Sequence, residues 1–253
     1  PRSTLFPYTT LFRSAAADNC AVMDAVIAAL HDYCGVESMA IVAVGGYGRG
    51  ELAPFSDIDL LFLLDGKPTP RIKKHVEFML YMLWDLGLKL GQATRSIEQC
   101  LADARSDMTI RTGLLEARWV AGDGALFETL RRRFTQELVI ETGDAFVRAK
   151  LDERNERHRK LDDSRYVLEP NIKDGKGGLR DLHTLFWIAK YVYRVGEIAD
   201  LVGRDVLAPE EYRKFAKAHD FLWTLRFHLH YIANRAEERL SFDVQLEMAG
   251  RMR

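Results

Sequence analysis

The sequence predicts an α+β protein in which a small mixed β-sheet is followed by an all-helical domain. Short apolar runs bounded by glycines occur in the first third of the chain, and such runs are typical of buried strands. After Thr94 the apolar residues recur at helical spacing. Because a three-stranded sheet has two faces to bury, we expect the helices to cover it.

The first fourteen residues, PRSTLFPYTTLFRS, contain no initiating Met and show neither the apolar core nor the cleavage site of a signal peptide. Residues 4–14 resemble a translated sequencing adapter. We therefore expect residues 1–14 to be a non-native leader, and the prediction of the fold starts at Ala15.

The predicted sheet lies between helices. Residues 15–31 have apolar side chains at helical spacing, which predicts a first helix. Apolar runs at 39–44 and 58–64 predict two buried strands, with a glycine-rich turn between them. Helical spacing returns at 71–84, and residues 86–94 predict a third strand.

The remainder of the chain is predicted to be helical. Ser96 and Gln99 have the spacing of a capping box, and Pro209 is well placed in the first turn of a helix. Residues 162–178 interrupt the pattern with a proline and three glycines, and a loop of this length predicts a function. Helices are predicted at 108–119, 126–139, 145–161, 179–195 and 209–235.

The composition of the chain limits which partners and which cellular compartment are expected. Lys and Arg number 36 against 37 Asp and Glu, and the net charge of −1 gives no reason to expect a nucleic acid or an anionic membrane. Three cysteines without a CxxC pair indicate neither a disulfide framework nor a zinc knuckle, so a cytoplasmic location is expected. No apolar run approaches the roughly 20 residues that a membrane span needs.

The turn between the first two predicted strands is rich in glycine, with Gly45, Gly46, Gly48 and Gly50. Glycine lets the backbone approach a ligand closely, and amides at the start of a helix bind anions. A triphosphate is therefore expected at this turn. The alternative is that the glycines only make a tight turn.

Asp57 and Asp59 stand two residues apart where the second strand begins. Alternate residues of a strand leave the same face, so both carboxylates are expected to converge on one site. Hard oxygen ligands beside a phosphate substrate favour Mg²⁺. The pair then predicts metal-dependent nucleotidyl transfer, unless Asp57 only caps or solvates the end of the strand.

Several stretches carry a resemblance to known families. Residues 45–52 and 56–61, GGYGRGEL and SDIDLL, are similar to the DNA polymerase β-like nucleotidyltransferase superfamily. A narrower resemblance is to the bifunctional uridylyltransferase/uridylyl-removing enzymes that act on the nitrogen-regulatory PII protein. Its residues are LLEAR at 114–118, EPNIKDGKGGLRD at 169–181, FHLH at 227–230 and RAEERL at 235–240.

The resemblance implies a set of roles. Gly45 and Gly46 would contact the nucleotide phosphates, together with Ser56, and Asp57 and Asp59 would bind Mg²⁺. The acceptor would be a tyrosine of PII that attacks UTP. The predicted domains are a nucleotidyltransferase domain at 15–105 and a helical substrate-binding domain at 106–253. The HD and ACT domains of full-length members are expected to be absent, and with them the removal activity.

A third carboxylate, usual in the superfamily, has no clear counterpart in the third predicted strand. Asp85 is the first candidate and Glu116 the second, although Asp85 could equally be an exposed residue at a helix end. Arg49 is interpreted as a triphosphate contact, with a surface salt bridge as the alternative. Lys173 and Arg180, in the glycine-rich loop, are expected to hold phosphate or an acidic patch. The alternative is a solvated loop whose glycines only serve the turn.

Two other functions stay open at this point. Asp-x-Asp chemistry does not select a base, so the chain could instead transfer AMP to a protein or a small molecule. A non-catalytic regulatory module that binds nucleotide is favoured if the third carboxylate is missing.

Overall fold

The computed structural model describes residues 9–36, 38–161 and 166–252. These residues form two compact units. The sheet unit comprises described residues within 16–52 and 56–142, and the helical unit comprises those within 9–15, 53–55 and 143–252. Over the described ranges, no helix combines the length and the apolar character that crossing a membrane requires.

The sheet unit is built on four strands in the order β3-β2-β1-β4. β2 pairs in parallel with β3, whereas β1 pairs antiparallel with both β2 and β4, so the prediction of a small mixed sheet is confirmed. The elements are α1 (Thr9–Cys34), β1 (Met39–Ala43), α2 (Gly45–Gly48), β2 (Ile58–Leu64), α3 (Pro70–Asp85), β3 (Leu90–Ser96), α4 (Ile97–Ser106), α5 (Met108–Leu115), β4 (Arg118–Gly122), α6 (Gly124–Phe134) and a π-helical turn (Thr135–Val139).

The prediction that the chain is all-helical after Thr94 is wrong, because β4 lies in the second half of the sheet unit. The helix predicted at 108–119 ends at Leu115, and Trp119 pairs with Val42 of β1. A run of five residues is too short for periodicity to separate strand from helix. The sheet unit therefore extends to residue 142, while the domain division at 105/106 stays a prediction.

Other boundaries differ from the prediction for local reasons. β3 begins at Leu90 rather than at residue 86, because Gly87 turns the chain with a φ of 77° after α3 ends. α1 begins at Thr9, so it includes part of the expected leader. The capping box that begins α4 is confirmed, since Ser96 and Gln99 exchange hydrogen bonds of 2.9 and 3.3 Å.

Both faces of the central strands β1 and β2 are buried, except at Asp59. One face packs against α1 and α3 and holds Ile41, Leu60 and Phe62 among its residues. Each such buried side chain contributes about 1.5–3 kcal/mol. The other face carries Val42 and Leu61, and α6 lies against β1 and β2. Strand alternation places the side chain of Asp59 on this second face.

A buried histidine pair joins α1 to α3. His31 Nδ1 lies 3.2 Å from His75 Nε2, which also lies 3.1 Å from the sulfur of Met79. Burial lowers the pKa of His31, and burial together with the neighbouring His31 lowers the pKa of His75 to about 4. Both imidazoles are therefore neutral at pH 7.

The helical unit consists of α7 (Gly143–Lys160), α8 (Leu179–Tyr193), a 3-10 helix (Ile198–Arg204), α9 (Pro209–Ala233) and α10 (Phe242–Arg251). α9 begins at Pro209 as predicted. The rings of Phe146 and Tyr191 stack at 3.8 Å and tie α7 to α8.

The loop predicted at 162–178 precedes α8; its residues 162–165 lie outside the described residues. Asn171 Oδ1 accepts hydrogen bonds from the amides of Lys173 and Asp174 at 3.0 and 2.7 Å. The amide of Ile172 donates to the carbonyl of Glu238 at 2.8 Å. The loop is thus attached to the segment that follows α9.

Candidate active site

The site is built where the chain leaves β1, turns through α2 and returns in β2. Val44, the residue before α2, donates its amide to the carbonyl of Asp59 at 3.1 Å. Val44 offers no side chain to cap α2. The first amides of a helix have no partner within the helix, so the amides of Gly45 and Gly46 are available to an anion, and the predicted phosphate contact stays a prediction.

Asp59 occupies a cradle formed by two glycines. A Cβ on Gly45 would lie 2.9 Å from Asp59 Oδ2, and one on Gly91 would lie 2.1 Å from Asp59 Oδ1. Gly91 is the β3 residue paired with Asp59, and Gly45 has a φ of 60°. No larger residue fits at either position while the carboxylate stays in place.

Asp57 is exposed and lies one residue before β2, with the half-buried Ser56 next to it. Strand alternation would place Asp57 and Asp59 on the same face of the sheet. Asp57 lies outside β2, and the convergence of the two carboxylates on one site stays a prediction. Both are hard oxygen donors, and the two glycines place no side chain against the carboxylate of Asp59. The donor set and the cradle therefore fit a divalent cation such as Mg²⁺.

Arg49 is largely buried and its guanidinium pairs with two carboxylates. Its Nη1 donates to both carboxylate oxygens of Glu116 at 2.9 and 2.8 Å, and its Nε donates to Glu51 at 2.8 Å. Burial opposes the charge of Arg49, but Glu116 and Glu51 raise its pKa. The side chain of Glu116 is only 1% exposed, so breaking this pair would leave a buried charge and cost about 3–5 kcal/mol.

Arg49 nevertheless lies next to the turn that it supports. Its Nη2 would be 3.6 Å from a Cβ on Gly46, and a Cβ on Gly48 would be 2.5 Å from the carbonyl oxygen of Glu116. The turn is thus packed directly against the end of α5. Arg49 and Glu116 fix the position of the glycine turn, and the predicted nucleotide contact of Arg49 stays a prediction.

A second set of contacts holds the turn from α1 and β4. The buried Tyr47 donates its hydroxyl to Asp24 of α1, and burial together with this hydrogen bond raises the pKa of Tyr47. Arg118 of β4 donates to both oxygens of Asp24 at 2.7 and 3.1 Å and to the carbonyl of Tyr47 at 3.3 Å. Residues of α1, α5 and β4 therefore converge on α2.

Asp85 is the last residue of α3 and is exposed. α3 packs on the face of the sheet that carries Leu60, whereas Asp59 is on the opposite face. On the face of Asp59, β3 presents Gly91, Ala93 and Arg95, none of which is a carboxylate. The catalytic role of Asp85 stays a prediction, and Glu116, the second candidate, is paired with Arg49.

Lys173 and Arg180 belong to the helical unit. Lys173 Nζ lies 3.9 Å from Glu238, and burial and the charge of Arg226 lower its pKa. Burial opposes the ionisation of Glu238, but His230 and the Arg226 guanidinium, at 2.7 Å, lower its pKa to about 2. Arg180 donates to Asp174 at 3.3 Å. Both predicted phosphate ligands thus contact carboxylates of their own unit.

Sequence reasoning missed three residues of the site, Asp24, Gly91 and Arg118, and the role of Glu116 in holding Arg49. Glu116 and Arg118 both belong to the LLEAR stretch at 114–118. Glu116 was considered there only as a possible third carboxylate. The signal available in the sequence was a pair of charged residues, one on each side of Ala117, next to apolar residues. Gly91 gave no signal, since only the pairing with Asp59 shows its role.

Comparisons with known proteins match both units. Residues 35–120 match the family model described as a nucleotidyltransferase domain. Residues 145–253 match the family model described as the GlnD PII-uridylyltransferase.

Curated relatives match along most of the chain. A bifunctional uridylyltransferase/uridylyl-removing enzyme of Azospirillum brasilense is 58% identical over 92% of this chain and 26% of the relative. Enzymes of the same name from Rhodospirillum rubrum and a Bradyrhizobium species are each 55% identical, over 93% and 95% of this chain and 26% and 27% of the relatives.

The chain spans about a quarter of the length of these curated relatives. All three relatives carry the same enzyme name. The segments of this chain that match them include the glycine turn, Asp57 and Asp59. The chain thus resembles these families in two separate segments: residues 35–120 are similar to the nucleotidyltransferase domain family, and residues 145–253 are similar to the GlnD PII-uridylyltransferase family.

Proposed function

We propose that the chain is a nucleotidyltransferase that moves UMP from UTP onto a tyrosine of the PII protein. The main support for the proposal is the position of the Asp59 carboxylate between Gly45 and Gly91. This carboxylate lies beside the glycine turn, where no side chain caps α2. The names of the relatives, uridylyltransferase/uridylyl-removing enzymes, support a uridylyl group as the group transferred, and the matching family model, described as the GlnD PII-uridylyltransferase, supports PII as the acceptor. Free thiols at Cys20, Cys34 and Cys100 agree with a cytoplasmic location.

In the proposed reaction the tyrosine oxygen attacks the α-phosphorus of UTP. A phosphorus–oxygen bond to the β-phosphate breaks, pyrophosphate leaves, and the hydroxyl proton is lost. The amides of Gly45 and Gly46 would bind the phosphates, and Ser56 lies beside the metal-binding pair.

Asp57 and Asp59 would hold Mg²⁺, which supplies charge neutralisation of the phosphates and of the leaving pyrophosphate when it is bound. Asp59 keeps its carboxylate fixed because its neighbours on both sides lack side chains. Arg49 and Tyr47 keep the turn close to this carboxylate through Glu116 and Asp24. Preorganisation of this kind reduces the cost of orienting the reactants.

The test is incubation of the purified chain with PII, Mg²⁺ and each labelled NTP in turn. We expect label on PII from UTP, and its loss in Asp57→Asn/Asp59→Asn, which keeps side-chain size. Asp65→Asn is the matched control, because Asp65 is exposed at the other end of β2.

Other outcomes would contradict the proposal in different ways. Label from ATP alone would indicate the adenylyltransferase alternative. Nucleotide binding without label from any NTP would indicate the non-catalytic module, which the lack of a carboxylate on the described site face of β3 favours.

A further inference from the structure

The helical unit contains a cleft that the proposed reaction does not use. It is a groove of about 520 Å³ between α7, the loop before α8 and the start of α8. α7 contributes Arg154, Asn155, His158 and Arg159, the loop contributes Lys176, and α8 contributes Asp181, Thr184 and Leu185. The cleft lies wholly within 145–253, outside the segment that matches the nucleotidyltransferase domain.

The only carboxylate in this lining already has partners. Asp181 pairs with Arg157 at 2.5 Å and with His158 at 2.9 Å, and it accepts the amide of Gly177 at 2.8 Å. These contacts attach the loop to α7. Asp181 therefore serves the structure of the cleft and does not offset the charges of the arginines that line it.

The arginines of the cleft are not neutralised by neighbours within the described residues. Arg154 donates to the neutral amide oxygen of Asn155 at 2.9 Å. Arg159 is exposed and makes no ion pair over the ranges 9–36, 38–161 and 166–252. The cleft thus presents positive charge to an incoming ligand.

The arrangement favours a peptide over a single phosphate. Arg154 and Arg159 are five residues apart on α7, which separates them by about 7.5 Å along the helix axis. Charges spread along a groove suit several carboxylates of one segment, whereas a phosphate is held by donors that converge on one point. Leu185 is 53% exposed in the same lining and offers an apolar contact.

We propose that this groove docks an acidic segment of the acceptor protein, with Arg154 and Arg159 pairing with its carboxylates and Leu185 contacting an apolar side chain. The groove would hold the acceptor protein through this segment. The proposal rests on the proposed function only in taking the acceptor as the source of the segment.

The first experiment measures binding directly, using the whole chain and a fluorescein-labelled peptide of glutamates around one leucine. Fluorescence anisotropy should show binding that weakens as salt is raised, because exposed charges are screened. We expect the Kd to rise about tenfold in Arg154→Gln/Arg159→Gln. Arg154→Lys/Arg159→Lys should largely restore binding, which separates loss of charge from misfolding.

The control is Arg213→Gln/Arg251→Gln, which removes the same charge from α9 and α10, where both arginines are exposed. It should leave the Kd unchanged. An unchanged Kd in Arg154→Gln/Arg159→Gln would overturn the docking groove. Displacement of the peptide by UTP in competition would also overturn it, since the groove would then be a nucleotide site.

A second readout connects the groove with the reaction. In uridylylation assays, Arg154→Gln/Arg159→Gln should raise the KM for PII about tenfold and leave kcat and the KM for UTP unchanged. A lower kcat with an unchanged KM for PII would overturn the docking role. Because the peptide assay needs no turnover, failure of the proposed function would leave the binding test readable.

Discussion

At the scale of the residue, the position of the Asp59 carboxylate depends on the absence of side chains at Gly45 and Gly91. Gly91→Ala would place a Cβ 2.1 Å from Asp59 Oδ1, so the carboxylate must move. A displacement of about 1 Å can lower a rate about a hundredfold, whereas overpacking of this size costs about 1–3 kcal/mol of stability. We therefore expect Gly91→Ala to lose nearly all transfer activity and yet remain folded, as measured by labelling and thermal melting.

The matched control is Gly113→Ala in α5. A Cβ on Gly113 meets nothing within 4 Å, and alanine inside a helix is more stable than glycine by about 0.5–1 kcal/mol. This variant should keep full activity and melt at the same or a higher temperature. Full activity in Gly91→Ala would show that the position of Asp59 does not matter.

Residues close in sequence could be predicted, and residues joined by the fold could not. The shared face of Asp57 and Asp59 follows from strand alternation alone. Glu116, one of the two partners of Arg49, is 67 residues away, so the sequence left open whether the Arg49 guanidinium meets phosphate or this carboxylate. The sequence also left open which group the Lys173 side chain contacts, since its partner Glu238 lies beyond α9.

At the scale of the element, the contact between α1 and α3 makes stability depend on pH. His75 has a pKa of about 4 in the folded chain, against 6.5 for the unperturbed side chain, and His31 is shifted in the same direction. Between these pH values the unfolded chain binds a proton that the folded chain does not, so the free energy of unfolding rises with pH.

We expect that free energy to fall by as much as about 3 kcal/mol for His75 as the pH drops from 7 towards 4. Urea denaturation at a series of pH values measures it. In His75→Gln the dependence on pH should be shallower. An equally steep dependence in that variant would assign the acid sensitivity to other groups.

Elements with strong signals were predicted, and β4 was not. β2 is a long apolar run bounded by turn residues, and its predicted limits at 58 and 64 are those observed. β4 is short, follows a helix after two residues, and pairs with a strand far away in the sequence. Only the tertiary pairing distinguishes it from the end of that helix.

At the scale of the whole molecule, the sheet unit sets the smallest part expected to fold alone. A truncated chain of residues 15–105 lacks β4 and α6, which complete the sheet and cover its second face. A chain of residues 15–142 retains both. In urea, followed by circular dichroism, we expect a cooperative transition for 15–142 and none for 15–105. A cooperative transition for 15–105 would instead support the predicted domain division.

The distance in sequence between the glycine turn and its supports has a consequence for folding order. The contact of Arg49 needs Glu116, which is 67 residues later in the chain. The contact of Asp24 needs Arg118, which is 94 residues later. Closing loops of this length carries an entropic cost that must be met before the contacts form. During synthesis the turn would therefore emerge from the ribosome well before the residues that fix it, and a nascent chain acquires a competent site only after β4 has been made.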